Sequence, residues 1–175
     1  MNEKTESALE TIYPDTPALL DRARELFLEY QRSIDVDLCF QSFEKELASL
    51  PGDYAPPRGR LFLAVAGGRM AGAVCLRPVD ERTGEMKRLY VRPEFRGRGF
   101  GGRLVRLIVS EAAAAGYSRI VLDTLPGMGE AQALYERLGF RDIPPYAFNP
   151  VPGVRYMALE IRAGRSPGSP DLPRQ

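Results

Sequence analysis

The apolar residues of this chain change their spacing midway, and the change divides it into elements. Leu19, Leu20, Ala23, Leu26, Phe27 and Tyr30 recur at helical spacing and predict an amphipathic helix from about Pro17 to Arg32. Asp15 or Thr16 supplies its cap, and Pro17 stands near the first helical position that proline favours. After a break at Ser33 to Asp37, Phe43, Leu47 and Leu50 predict a second helix over roughly Phe40 to Leu50, ended by Pro51-Gly52. The pattern then turns strand-like. Leu61 to Ala66 and Met70 to Leu76 flank Gly67-Gly68 as an antiparallel hairpin. Met86 to Val91 reads as a further strand, followed by a glycine-rich run and a third helix to about Ala115. Tyr117 to Asp123 is a strand, and Ala131 to Leu138 a short helix closed by Gly139. Phe140 to Asp142 and Tyr156 to Ile161 form a last pair of strands, joined by a loop from Pro144 to Gly153. Thr11 to Tyr13 is a short strand candidate stopped by Pro14.

Strands that first pair as hairpins and later alternate with helices predict one α/β (α+β) domain. It holds a mixed sheet of six or seven strands and about four helices. The expected boundaries are a flexible leader over residues 1–10, the domain over 11–162, and a disordered tail over 163–175. The tail is rich in proline, glycine, serine and charge and has little to bury.

Composition removes several chemistries. The 175 residues carry no histidine, which excludes Ser-His-Asp and Cys-His catalysis and most zinc and non-haem iron sites. No metal is expected. Cys39 and Cys75 lack metal or redox spacing and fit reduced thiols. A formal net charge of +1 favours neither nucleic acid nor membrane as a partner, and no apolar run is long enough to span a bilayer. A cytoplasmic protein is expected. Arginine is concentrated between Arg88 and Arg106, so any attraction for anions is local.

That concentration coincides with the glycine-rich run Arg96-Gly97-Arg98-Gly99-Phe100-Gly101-Gly102. Its glycines let backbone amides turn inward, and the helix behind it adds unpaired N–H groups and a partial positive charge. Arg96, Arg98 and Arg103 stand around that point, so it can hold a multiply charged phosphate group. Gly97-x-Gly99-x-x-Gly102, with Asp123 about 20 residues on, also satisfies a dinucleotide-binding pattern. Against it, Arg92 to Arg96 separate the strand from the first glycine, and too little chain follows to complete that fold.

Arg96-x-x-Gly99-x-Gly101, with Leu89-Tyr90-Val91-x-Pro93 before it and Ala131-x-x-Leu134-Tyr135-x-x-x-Gly139-Phe140 after it, resembles the GNAT superfamily of N-acetyltransferases over roughly Leu61 to Ile161. The resemblance implies acetyl-CoA as cosubstrate and a splay between the strands equivalent to Met86–Val91 and Ile120–Thr124. It implies that Leu89, Tyr90 and Val91 pair with the pantetheine arm, and that one amide there polarises the thioester carbonyl. Arg96, Gly97, Arg98, Gly99, Phe100, Gly101 and Gly102 then grip the diphosphate. Met128 stands where many relatives carry asparagine, so contact there is apolar or absent.

The same resemblance makes Tyr135 the candidate proton donor to the departing thiolate and Glu85 the candidate base, directly or through water. A neutral phenol titrating near 10 can protonate a thiolate whose thiol titrates near 8.5. The family layout places the acceptor between Asp35 and Asp37 on one side and Tyr146, Phe148 and Asn149 on the other, a setting for a cationic amine. The expected activity is acetyl transfer to a primary amine of a small molecule or peptide, by a monomer or homodimer. A non-catalytic acyl-CoA-binding sensor or scaffold is the alternative.

Overall fold

A computed structural model describes residues 8–34, 36–38 and 42–161. In chain order the elements are β1 (Leu9–Ile12), α1 (Pro17–Ile34), α2 (Phe43–Ser49), β2 (Arg60–Ala66), β3 (Arg69–Pro78), β4 (Thr83–Val91), α3 (Phe100–Ala114), β5 (Arg119–Thr124), α4 (Gly129–Arg137), β6 (Arg141–Ile143) and β7 (Arg155–Glu160). The seven strands form one sheet in the order β1-β2-β3-β4-β5-β7-β6. Neighbours are antiparallel except β4 and β5, which run parallel. A parallel pair needs a crossover, and α3 provides it. This is the mixed α/β domain that the spacing predicts.

Two boundaries differ from expectation for clear reasons. The first strand lies at Leu9–Ile12 rather than Thr11–Tyr13, because Leu9 pairs with Ala66 and buries its side chain. Among the described residues, the second helix starts at Phe43, after Ser42 in a left-handed conformation with φ 56°. Residues 1–7 of the expected leader and the whole of the expected tail lie outside the described residues.

Each face of the sheet carries its own core. On one face Phe100, Leu104, Val105, Ile108 and Ala112 of α3 pack on Val74, Leu76, Met86, Ile120, Leu122 and Met157, with Tyr135 and Phe140 alongside. On the other, Ala23, Leu26 and Phe27 of α1 and Phe43 of α2 cover Leu61, Leu63, Ala73, Cys75 and Tyr90. Each fully buried Leu or Ile here contributes about 1.5–3 kcal/mol relative to exposure.

A bulge in β4 interrupts the alternation between these cores. Ala73 pairs with Tyr90 and Cys75 with Lys87, so two residues, Arg88 and Leu89, stand opposite Val74. Met86 and Tyr90 are an even number of positions apart, yet they pack in opposite cores. Arg88 adopts φ 56°, a left-handed conformation that a non-glycine residue holds only when its surroundings fix it. Here its guanidinium donates to both carboxylate oxygens of Glu46 on α2, at 2.9 and 2.7 Å. Tyr54 donates its hydroxyl to the same carboxylate at 2.9 Å, and the rings of Phe43 and Tyr30 lie 5.2 and 5.9 Å from the guanidinium carbon. The Arg88 side chain is 2% exposed. One ion pair therefore ties α2 to the bulge.

Breaking this pair from one side leaves a buried charge without its counter-ion. Glu46→Ala is expected to destabilise the fold by about 3–5 kcal/mol in denaturant titrations. The double replacement Arg88→Met with Glu46→Leu should recover much of that loss. Burial opposes ionisation of Glu46, but the hydrogen bond and charge of Arg88 outweigh it and hold the carboxyl below its usual range. The stability it confers is therefore complete above the unfolded value near 4.3 and is lost as pH falls through the lower folded value. Glu46→Gln should flatten that acid limb.

Candidate active site

β4 and β5 stay hydrogen-bonded only where Thr83, Gly84 and Glu85 face Arg119, Ile120 and Val121. Beyond Glu85, β4 stays with β3 through Val91, and β5 stays with β7 through Thr124. The sheet parts between them, and the gap opens on both faces. A groove of about 1220 Å³ runs along one side of it. Leu89, Tyr90 and Val91 of β4 form one wall, residues 125–131 another, and the glycine-rich turn its end.

That turn is built by its glycines in two different ways. Gly97 and Gly99 both sit at φ +74°, where a side chain is strained, and a Cβ on either would meet no atom within 4 Å. The space beside them is open for a ligand. Gly101 and Gly102 instead face α4, where a Cβ on either would make ordinary contact with Leu134 at 3.5 Å. The first helical bond runs from Arg103 N to Gly99 O at 3.1 Å. The amides of Phe100, Gly101 and Gly102 precede it, and free amides at a helix start, with the helix dipole, favour negative charge.

The arginines of this region divide as well. Arg96 lines the groove and donates to Val91 O at 2.8 Å, and Arg137 of α4 lines the groove too. Arg98 is not part of the wall: it donates to Glu94 O at 3.2 Å and lies 5.5 Å from the Phe95 ring centre. Arg103 turns to β1 and donates to Leu9 O at 3.1 Å. The remaining candidates from the sequence, Gly97, Gly99, Phe100, Gly101, Gly102 and Met128, all line the groove.

A smaller cavity of about 40 Å³ lies in the gap itself. Tyr30, Leu89, Leu125 and Met128 border both spaces, so the two adjoin. Lys87, Arg88, Asp123, Thr124, Tyr135 and Asn149 supply the polar part of the lining, with Leu38, Met86 and Leu122 beside them. Burial pushes the Tyr135 phenol well above its usual value, so the hydroxyl stays protonated as a hydrogen-bond donor throughout the working pH range. Its ring packs on Phe140 with centres 5.7 Å apart.

Glu85 stands at the point where the strands part. It is 4% exposed, accepts hydrogen bonds from Arg77 at 2.7 Å and from the Tyr146 hydroxyl at 2.8 Å, and lies 3.7 Å from Lys87. Burial first, and then the charge of Glu85, drives the Tyr146 phenol far upward. Lys87 also reaches Asp123 Oδ1 at 3.4 Å, and Asn149 donates to Asp123 Oδ2 at 2.9 Å. Burial lowers the Lys87 ammonium despite both carboxylates. Burial works against the charge of Asp123, yet Lys87 and Asn149 hold its carboxyl below the usual range.

Of the expected acceptor residues, Tyr146 and Asn149 thus pin the loop between β6 and β7 over the gap. Phe148 between them is 80% exposed, and Asp37 is exposed in the segment after α1. Asp35 lies outside the described residues. The sequence reading did not single out Lys87, Thr124, Tyr30 or Gln132 for the site. Gln132 shapes the groove by donating to Leu125 O at 2.7 Å while accepting from Arg155 at 3.2 Å. The visible signal for Lys87 was a pair of consecutive cations, Lys87-Arg88, inside an otherwise apolar strand. No group of three side chains suited to holding a metal occurs among the described residues.

With this geometry in place, comparison with known proteins is informative. The profile of the Acetyltransferase (GNAT) family matches residues 20–140. An uncharacterized N-acetyltransferase of Schizosaccharomyces pombe is 42% identical over 147 residues, spanning 83% of this chain and 90% of that protein. The N-acetylaspartate synthetase of Danio rerio is 31% identical over 133 residues, which span 75% of this chain but 47% of that protein. A putative acetyltransferase of Salmonella typhimurium, solved with its cofactor acetyl-CoA, superposes with a TM-score of 0.62 at 17% identity, over 93% of this chain and 99% of that one. The parted strands, the glycine-rich turn between β4 and α3 and these relationships have one explanation: the chain is an enzyme of the acetyltransferase (GNAT) family.

Proposed function

We propose that the enzyme transfers an acetyl group from acetyl-CoA to a primary amine of a small molecule or peptide, by direct attack of the amine on the thioester. The observation that carries this reading is the continuity of the groove with the cavity in the gap. One end of the groove has the build of a diphosphate site, and the other meets Tyr135 and the carboxylate of Asp123. In this reading the amides of Gly97 to Gly102 and the side chains of Arg96 and Arg137 hold the diphosphate. The pantetheine arm lies along Leu89 to Val91 and exchanges hydrogen bonds with the backbone edge that β5 leaves unpaired. A β4 amide near the bulge faces the thioester oxygen and stabilises the charge that gathers there.

The amine attacks the carbonyl carbon, and the C–S bond breaks as the C–N bond forms. The sulfur leaves as a thiolate and takes a hydrogen bond, then a proton, from the Tyr135 hydroxyl. An amine that arrives protonated first loses one proton to solvent through the network of Glu85, Lys87 and Asp123, which frees its lone pair. The nitrogen loses a second proton after attack, and a proton from the same network or solvent restores the Tyr135 hydroxyl. Glu85 reaches solvent-facing groups through Tyr146, so its part as base runs through a neighbour or a water. A small amino compound as acceptor agrees with the name of the Danio rerio relative, a synthetase of N-acetylaspartate.

Calorimetry should detect acetyl-CoA uptake by the wild-type chain, and no uptake would defeat the assignment of the groove. Gly97→Ala and Gly99→Ala should both fold, at a cost of about 1–2 kcal/mol for the left-handed backbone. Each should bind acetyl-CoA at least tenfold more weakly, because the new Cβ enters the open space beside the turn. Thiol release with a panel of primary amines measures turnover. Tyr135→Phe is expected to keep acetyl-CoA affinity while kcat falls by about 10²-fold or more; full turnover in that variant would exclude the donor role.

A further inference from the structure

We infer that Asp123 is the docking point for the ammonium group of the acceptor, with the Thr124 hydroxyl as a second contact, in the 40 Å³ cavity between β4 and β5. This rests on the reading of the groove as the acetyl-CoA site, and it goes beyond it by fixing where the nitrogen sits and which charge it must carry on arrival. Four observations lead there.

The cavity has the capacity for a small head group. At about 40 Å³ it exceeds the roughly 10–15 Å³ that one water requires and matches a terminal carbon and nitrogen far better than a whole substrate. Its lining includes a buried polar group without a partner: Thr124 Oγ1 makes no hydrogen bond, and the residue is 3% exposed. An orphaned buried hydroxyl costs about 1–3 kcal/mol unless something fills the need. An ammonium hydrogen aimed at its lone pair would do so.

The charges around the cavity are unevenly committed. Arg88 is held by a two-pronged bond to Glu46 at 2.7 and 2.9 Å, and Glu85 by Arg77 and Tyr146. Asp123 is held more loosely. Its close side-chain donor is the neutral amide of Asn149 at 2.9 Å, while Lys87 stands at 3.4 Å, beyond the 2.7–2.9 Å of a strong charged hydrogen bond. The Asp123 side chain keeps 13% of its surface against 5% for Lys87, so it is the carboxylate a ligand can reach. The remaining walls suit a cation as well. The faces or edges of Tyr30 and Tyr135 border the space, with Leu38, Leu122 and Leu125 around the rest.

Position completes the case. Asp123 and Tyr135 border the same cavity, which adjoins the groove at Leu89, Leu125 and Met128. A nitrogen bound by Asp123 is therefore beside the end of the pantetheine channel, on the side opposite the diphosphate turn. The β5 carboxylate acts by position and by charge. It selects acceptors whose amine arrives protonated, and it disfavours an anion at this point despite the nearby Lys87 and Arg88.

The test uses the ¹⁵N-labelled full chain loaded with coenzyme A, titrated separately with methylammonium and with formate as the smallest cationic and anionic probes. Methylammonium should shift the amides of Asp123, Thr124 and Leu125 saturably, and formate should leave them in place. Asp123→Asn, which keeps the shape and the Asn149 contact, should weaken methylammonium at least tenfold. Thr124→Val should weaken it two- to fivefold. Saturable formate binding at these amides, no methylammonium binding by the wild-type chain, or equal binding by Asp123→Asn would each overturn the proposal. Coenzyme uptake is followed in the same samples. Its failure would defeat the assignment of the groove, whereas intact uptake with no response to methylammonium would defeat the docking point alone.

Discussion

The separation of β4 from β5 after Glu85 is the constraint on which the rest of the enzyme depends. A central strand pair is ordinarily the most fully hydrogen-bonded part of a sheet, because unpaired backbone groups are costly when buried. Here the pairing ends after three residue pairs, and beyond them an ion pair between Lys87 and Asp123 takes the place of backbone bonds across the gap. Lys87 stands between Glu85 and Asp123, at 3.7 and 3.4 Å. Buried ions must be matched by counter-ions, so these three side chains keep one another within the gap. On the far side of β4 the Arg88–Glu46 pair holds the bulge that alters the strand's facing. The backbone edge left open by this arrangement is the one an extended thioester arm can use.

The glycine-rich turn and α4 line the groove together with Tyr30, Ser33 and Ile34 of α1. The gap brings in residues from β4, β5, α1 and the loop between β6 and β7. Tyr135 is the residue of α4 that reaches the gap, and its ring rests on Phe140 in the core beneath α3.

Much of this was legible in the sequence, for reasons that also mark where legibility stops. Helical spacing from Leu19 to Tyr30 and the paired runs around Gly67-Gly68 report local burial, and local burial sets element type. The glycine-rich turn was readable because its need for positive φ falls on residue types that show it, Gly97 and Gly99. Arg98 and Arg103 were not readable in the same way: next to those glycines all arginines look alike, and their directions depend on Glu94 and Leu9, neither of which the pattern singles out. Asp123 was visible only as a feature of a dinucleotide pattern that the chain does not follow. Its neighbours Lys87 and Asn149 lie 36 and 26 positions away, and no spacing rule joins residues at such distances. The bulge at Arg88 was hidden for the same reason, since its conformation is held by a carboxylate 42 positions earlier.

The loop between β6 and β7 touches the gap through Tyr146 and Asn149, while Phe148 between them faces solvent. It shares no ladder bonds with β4 or β5, yet its Val151 lines the groove and a Cβ on its Gly153 would lie 3.4 Å from Pro126. One hairpin tip therefore borders both spaces, and a substitution there is felt in the groove as well as in the gap.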